Sequence, residues 1–139
     1  MRTEQLAETI GAKLRGGEVI ELIADLGGGK TTFVRGLARG AGSVGKVSSP
    51  TFTLSNEYKA GELTIHHFDF YRLAEAGIMG DELAEAIADP KAVVVVEWGD
   101  IVADVLPASR LTITITATGE DSRQLQFKCP DGLSYLLPK

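Results

Sequence analysis

Apolar positions along the chain follow two rhythms, one of helices and one of strands. Leu6, Ile10 and Leu14 recur at helical spacing and predict an amphipathic helix over about Thr3 to Leu14, stopped by Gly16 and Gly17. Val19-Ile20-Glu21-Leu22-Ile23 reads as a short buried strand, and Phe33, Val34, Leu37 and Ala38 then mark a helix that runs to Gly40. Ser43 to Pro50 is polar and rich in breakers, hence loop. Thr51 to Tyr58 and Leu63 to Phe70 read as two strands of a hairpin turning around Ala60-Gly61. Ala74 to Gly80 reads as a flexible connection, followed by a short helix over Asp81 to Ala88 with Leu83 and Ile87 inward. Ala92 to Val96 is apolar throughout and rich in β-branched residues, which predicts a strand covered on both faces in the middle of a sheet. From Leu111 to Ala117 the pattern alternates strictly, Leu111, Ile113 and Ile115 against Thr112, Thr114 and Thr116, and Leu125 and Phe127 repeat it. Strands with one wet face predict an antiparallel edge.

The order of these elements predicts an α/β fold: a three-layer sandwich around a mixed central sheet with antiparallel edge strands. Within it, strand, glycine turn and helix meet at Ala24-Asp25-Leu26-Gly27-Gly28-Gly29-Lys30-Thr31. That context makes the glycine string a phosphate-loop candidate. Backbone N–H groups of such a turn point inward at an anion, and the following helix N-terminus adds partial positive charge. Lys30 would neutralise the outer phosphates and the Thr31 hydroxyl would hold a magnesium ion. The pattern G-x-x-x-x-G-K-[ST] is met at Gly29, Lys30 and Thr31, whereas its first glycine is Ala24, a replacement that works only where that residue keeps a negative φ. The plain alternative is an ordinary turn with an exposed lysine; the flanking strand and helix favour the phosphate loop.

Composition narrows the field. The chain has 139 residues, enough for one domain with a layered core, and its 44 % hydrophobic and 24 % charged residues are ordinary for a globular protein. A net charge of −5 and a pI near 5.0 argue against wrapping a nucleic-acid backbone as the main activity. The N-terminal residues lack a signal-peptide core and no run is long enough to span a membrane, so a cytoplasmic, membrane-free protein is expected. The single cysteine, Cys129, excludes an internal disulfide and fits a reducing compartment, where a small half-buried apolar role suits it.

A phosphate loop needs a carboxylate near its metal, usually at the end of an apolar strand. Asp69 follows Thr64-Ile65-His66-His67-Phe68, and Glu97 follows Val93-Val94-Val95-Val96. With a period of two, His67, Asp69 and Tyr71 share one face while His66, Phe68 and Phe70 share the other, one a site face and the other a packing face. The plain alternative for Asp69, less favoured than the site role, is a solvated strand end paired with Arg72. Glu97 leaves less room for that reading, because a carboxylate at the tip of a central buried strand must be coordinated, hydrogen-bonded or charge-paired. Adjacent histidines point to opposite faces, so neither His66 nor His67 is read as a metal ligand. Ser48-Ser49-Pro50-Thr51-Phe52-Thr53 lies where nucleotide hydrolases keep a segment that senses the γ-phosphate through a threonine; a plain turn before a strand accounts for its spacing equally well.

Four blocks together resemble the TsaE family, also called YjeE, of small bacterial phosphate-loop ATPases needed to form threonylcarbamoyladenosine in tRNA. They are Asp25-Leu26-Gly27-Gly28-Gly29-Lys30-Thr31-Thr32-Phe33, Ser49-Pro50-Thr51-Phe52-Thr53-Leu54, His67-Phe68-Asp69-Phe70-Tyr71-Arg72-Leu73 and Val96-Glu97-Trp98, in the family's order and spread over about Thr3 to Arg123. Ala24, Gly28 and Gly99 depart from the family's usual residues, and only Ala24 touches the chemistry. The resemblance implies that Gly27, Gly28, Gly29, Lys30 and Thr31 hold phosphates and magnesium, with Thr32 near the α-phosphate. It implies that Glu97 serves the metal and hydrolysis, that Asp69 is tied to activity and that Thr51 is the switch residue. It further implies that Arg123 lies near the nucleotide and that the segment around Thr3 lines the base.

The activity so implied is slow Mg-ATP hydrolysis in association with the TsaD and TsaB proteins, with tRNA touched only indirectly. Positioning and charge stabilisation carry such a reaction, and Asp69 or Glu97 would orient the attacking water. No arginine finger is visible in the sequence, which predicts a slow isolated enzyme that depends on its partners. Two alternatives stay open: a small phosphate-loop kinase, which would need an acceptor pocket and a basic lid, and a nucleotide-gated adaptor without significant turnover.

Overall fold

The computed structural model describes residues 3–24, 30–43, 46–47, 55–69, 78–97, 106, 109–117 and 123–137. In chain order the elements are α1 (Thr3–Gly11), β1 (Val19–Ala24), α2 (Lys30–Gly40), β2 (Lys46–Val47), β3 (Ser55–Ala60), β4 (Leu63–Asp69), α3 (Ile78–Ala88), β5 (Ala92–Glu97), β6 (Leu111–Ala117), β7 (Arg123–Lys128) and a C-terminal 3₁₀ turn, Asp131–Leu136. The strands form one sheet of seven in the order β2-β3-β4-β5-β1-β6-β7. Neighbours β4, β5, β1 and β6 run parallel, while β2–β3, β3–β4 and β6–β7 are antiparallel. The mixed sheet with antiparallel edges is therefore the one the apolar pattern predicts.

Two apolar layers sandwich this sheet. On one face Leu6, Ala7 and Ile10 of α1 and Phe33, Val34 and Leu37 of α2 pack over Ile20, Leu22, Ile65, Val93, Val95 and the inward residues of β6. On the other, Leu83 and Ala86 of α3 cover Phe68, Val94, Val96 and Val19, with Leu106. Every residue of β5 is buried, as expected of the fourth strand in a sheet of seven with helices on both sides.

Helices α1 and α2 approach through bare backbone. A Cβ on Gly11 would lie 2.1 Å from the Leu37 carbonyl oxygen, and one on Gly40 would lie 2.0 Å from that of Glu8. No side chain fits at either position, so the two glycines set how closely the helix that begins at Lys30 is held against its neighbour.

Three local assignments differ from those the pattern predicts. Helix α1 ends at Gly11 rather than Leu14, because Lys13 and Leu14 donate to Ile10 and Gly11, one residue tighter than an α-helix allows. Helix α3 begins at Ile78, inside the stretch read as connection; a glycine at position 80 costs a packed helix only about 1 kcal/mol. Strand β2 lies within the predicted loop and adds a two-residue edge strand beside β3. The last two strands, β6 and β7, pair antiparallel at one end of the sheet, as their alternation predicts, and β6 joins them to β1 by a parallel ladder.

Candidate functional site

The four parallel strands end together along one edge of the sheet. Asp69, the last residue of β4, is in register with Glu97, the last of β5, and Glu97 is one strand from Leu22 of β1, whose end at Ala24 is reached two residues later. After β1 the chain enters α2 on one face of the sheet, and after β4 it enters α3 on the other. Crossovers that part to opposite faces leave a crevice beyond the carboxyl ends of the strands, which is where open α/β sheets bind ligands. Lys30, Thr31 and Thr32 form the first turn of α2, so their backbone N–H groups belong to its unsatisfied, electropositive end.

Ala24 is in register with Ile115 as the last residue of β1. It has the extended backbone open to any residue, so the strand exit does not require glycine at this position.

Glu97 is 4 % exposed, yet it stands at a strand end rather than deep in the core. Its Oε2 accepts a short hydrogen bond from Nε2 of His67, itself 8 % exposed, on the adjacent strand. His67 faces the same side of β4 as Ile65, toward α1 and α2, and Phe68 faces α3, so the strand alternates as predicted, with apolar packing on both faces. The pairing of His67 with Glu97 is not apparent in the sequence, where the two lie 30 positions apart. Cys129 is half-buried, in keeping with the small apolar role read for it.

The remaining site candidates divide by position. Asp69 and Arg123 are placed through their backbone; Arg123 opens β7 opposite Ala117, at the same edge of the sheet as Glu97 but on the far side of β1 and β6. Thr3 opens α1. Gly27, Gly28, Gly29 and Thr51 lie outside the described residues, as do Trp98 and Arg72.

Among the described residues no three His, Cys, Asp or Glu side chains cluster as a metal site. The chemistry of the edge still fits magnesium, a hard ion that keeps much of its water and is held in nucleotide sites by one or two carboxylates plus the substrate phosphates. Elsewhere, Glu21 and Arg110 pair at 3.0 Å on the opposite face of β1 and β6, lining a groove with Thr112, Thr114 and Lys128 that is separate from the Glu97 edge.

Comparison with known proteins decides the family. The model of the threonylcarbamoyl adenosine biosynthesis protein TsaE matches residues 1–125. The chain belongs to the TsaE family. It is 39 % identical over 129 residues to the tRNA threonylcarbamoyladenosine biosynthesis protein TsaE of Bacillus subtilis strain 168, covering 90 % of this chain and 78 % of the relative. The TsaE protein of Treponema pallidum strain Nichols is 38 % identical over 123 residues, covering 88 % and 90 %. A crystal structure of Bacillus subtilis YdiB superposes with a TM-score of 0.73 at 33 % identity, over 96 % of this chain and 83 % of that one. The TsaE family takes part in forming threonylcarbamoyladenosine in tRNA, and the α/β architecture described above is that of a solved relative. No helix among the described residues is long and apolar enough to cross a membrane.

Proposed function

We propose that this chain is a phosphate-loop ATPase that binds Mg-ATP at the carboxyl edge of its sheet and hydrolyses it slowly, in support of tRNA threonylcarbamoyladenosine formation with the TsaD and TsaB proteins. The observation that carries this reading is Glu97, a carboxyl group shielded from water at the tip of the middle strand, beside Asp69 in register and one strand from the exit toward Lys30. Its place supports the reading: the carboxyl group closes the middle strand at the carboxyl edge, where open α/β sheets bind ligands, and His67 is its partner there.

In this reading the amides of Gly27, Gly28 and Gly29 and the first turn of α2 cradle the phosphates, and Lys30 neutralises the β- and γ-phosphoryl oxygens. Thr31 and Glu97 hold the magnesium ion, directly or through water; when bound, the ion offsets the negative charge that builds on the phosphoryl oxygens. Asp69 or Glu97 orients the attacking water, Thr51 senses the γ-phosphate, and Thr3 and Arg123 border the nucleotide. The protein's contribution is to position groups and stabilise charge, since phosphoryl transfer asks for little covalent chemistry.

The test is a pull-down of TsaD and TsaB by this chain with and without ATP, paired with ADP release by the isolated chain and by the assembly. ATP-dependent capture with partner-stimulated ADP release supports the proposal. Capture indifferent to ATP together with no ADP release above background, alone or in the assembly, would remove it, and ADP release that instead follows a small-molecule phosphate acceptor would make the chain a kinase.

A further inference from the structure

We infer that His67 is a positioning residue for Glu97: its imidazole fixes the carboxyl group through which this chain meets the magnesium ion. The inference rests on the reading of Glu97 given above. The two residues are 30 positions apart in sequence, and the sheet register brings them together. Asp69 pairs with Glu97 across β4 and β5, and His67, two residues earlier, pairs with Val95. Both side chains are on the α1–α2 face, both are almost wholly buried, and Nε2–H donates to Oε2.

That contact has a consequence beyond satisfying two polar groups. Facing a carboxylate, which only accepts, Nε2 carries the hydrogen of this bond. A glutamate side chain otherwise rotates about three bonds, and its terminal torsion is broad. Committing Oε2 to a ring that is clamped inside the sheet holds the carboxyl plane and the direction of its other oxygen. Hydrogen-bond partners of metal-binding groups are worth about 10–100-fold in metal affinity or activity, because they remove this freedom before the metal arrives. A histidine that merely fills space would give a different pattern, since a leucine of similar bulk would fill the same apolar surroundings at least as well.

The experiment measures ADP binding by calorimetry on the full chain across a series of Mg²⁺ concentrations. It compares wild type with His67→Leu, His67→Gln, His67→Asn and Glu97→Gln, and monitors thermal unfolding of each. The amide nitrogen of glutamine reaches about where Nε2 lies, and that of asparagine does not. The expected result is a rise of about 10–100-fold in the Mg²⁺ concentration at which His67→Leu binds ADP half-maximally. ADP affinity without Mg²⁺ should be unchanged, His67→Gln should restore most of the Mg²⁺ response, and His67→Asn should not. If the leucine variant fails to fold, glutamine against asparagine decides, and equal behaviour of those two overturns the inference. An unchanged Mg²⁺ requirement in a folded His67→Leu also overturns it. Where Glu97→Gln raises the requirement and His67→Leu does not, only the positioning role fails; where Glu97→Gln leaves it unchanged, the reading of Glu97 fails as well.

Discussion

Two buried glutamates stand at opposite ends of the parallel strands, and they are satisfied in different ways. Glu18, 2 % exposed, lies just before β1. Its carboxyl oxygens accept the backbone N–H groups of Arg15 and Gly16, each at 2.7 Å, together with the Tyr135 hydroxyl. Arg15 stacks over the Tyr135 ring at 3.9 Å, and Lys13 Nζ donates to the Leu137 carbonyl at 3.0 Å. This is a clasp that ties the C-terminal turn to the α1–β1 connection. Glu97 closes β5 at the opposite edge, and its bond to His67 comes from a neighbouring strand. Two backbone amides of its own loop enclose the first carboxylate, whereas a side chain that can be exchanged orients the second. The difference teaches that burial alone does not mark a functional carboxylate; its place relative to the strand ends and the nature of its partners do.

Mutations should separate the two ends. The largest effect is expected from Lys30→Ala, which should weaken ADP and ATP binding by about 100-fold, the scale of a lost charge-assisted contact, while the unfolding temperature stays at the wild-type value. Calorimetry and a thermal melt check both halves. Glu97→Gln should lower ATP turnover by about 100-fold or more with little loss of stability, whereas Glu18→Gln should leave turnover intact; steady-state ADP release compares them directly. If both variants lose turnover alike, the contrast between the two ends is broken.

The next effects fall on stability. Glu18→Ala leaves two backbone donors and a tyrosine hydroxyl without their acceptor and should cost about 2–4 kcal/mol by urea unfolding. Gly40→Ala forces a methyl group onto the Glu8 carbonyl and should cost about 1–3 kcal/mol, with loosened nucleotide binding because α2 must shift. The smallest change is expected from Tyr135→Phe. Burial, then the hydrogen bond to Glu18 and the charge of Glu18, push the Tyr135 hydroxyl up to about 12, with Arg15 acting in the opposite sense. A group raised in the folded state stabilises fully below its unfolded value near 10 and ceases to do so as pH passes about 12. Wild type should therefore lose stability over that alkaline window, and the phenylalanine variant should lose less; denaturant midpoints at pH 9 and pH 11.5 measure the difference.

Much of this arrangement is legible in the residues themselves. The unbroken valine run announces the central strand, and the carboxylate that ends it is unexplained by packing, which is what singles out Glu97. Gly61, at φ +64, turns the hairpin where the pattern places it. What the chain does not disclose is lateral. Alternation puts His67 and Asp69 on one face, but only the order β4-β5-β1 makes Glu97 their neighbour, and a strand order that skips along the sequence has no local signal. The same holds for Glu18 and Tyr135, separated by 117 positions, and for Gly11 and Gly40, whose role is apparent only when two helices meet. The C-terminal turn did leave a trace. Leu133 and Leu136 are buried three residues apart, the repeat of a 3₁₀ helix, but a single repeat is too short to stand out from loop.

Crystallising the chain with ADP and Mg²⁺ tests the central claim most directly. Phosphate density is expected at the first turn of α2 and the metal ion beside Glu97, with His67 still bonded to Oε2. Phosphates lodged instead in the groove between Glu21, Arg110 and Lys128, or a metal ion remote from Glu97, would contradict it.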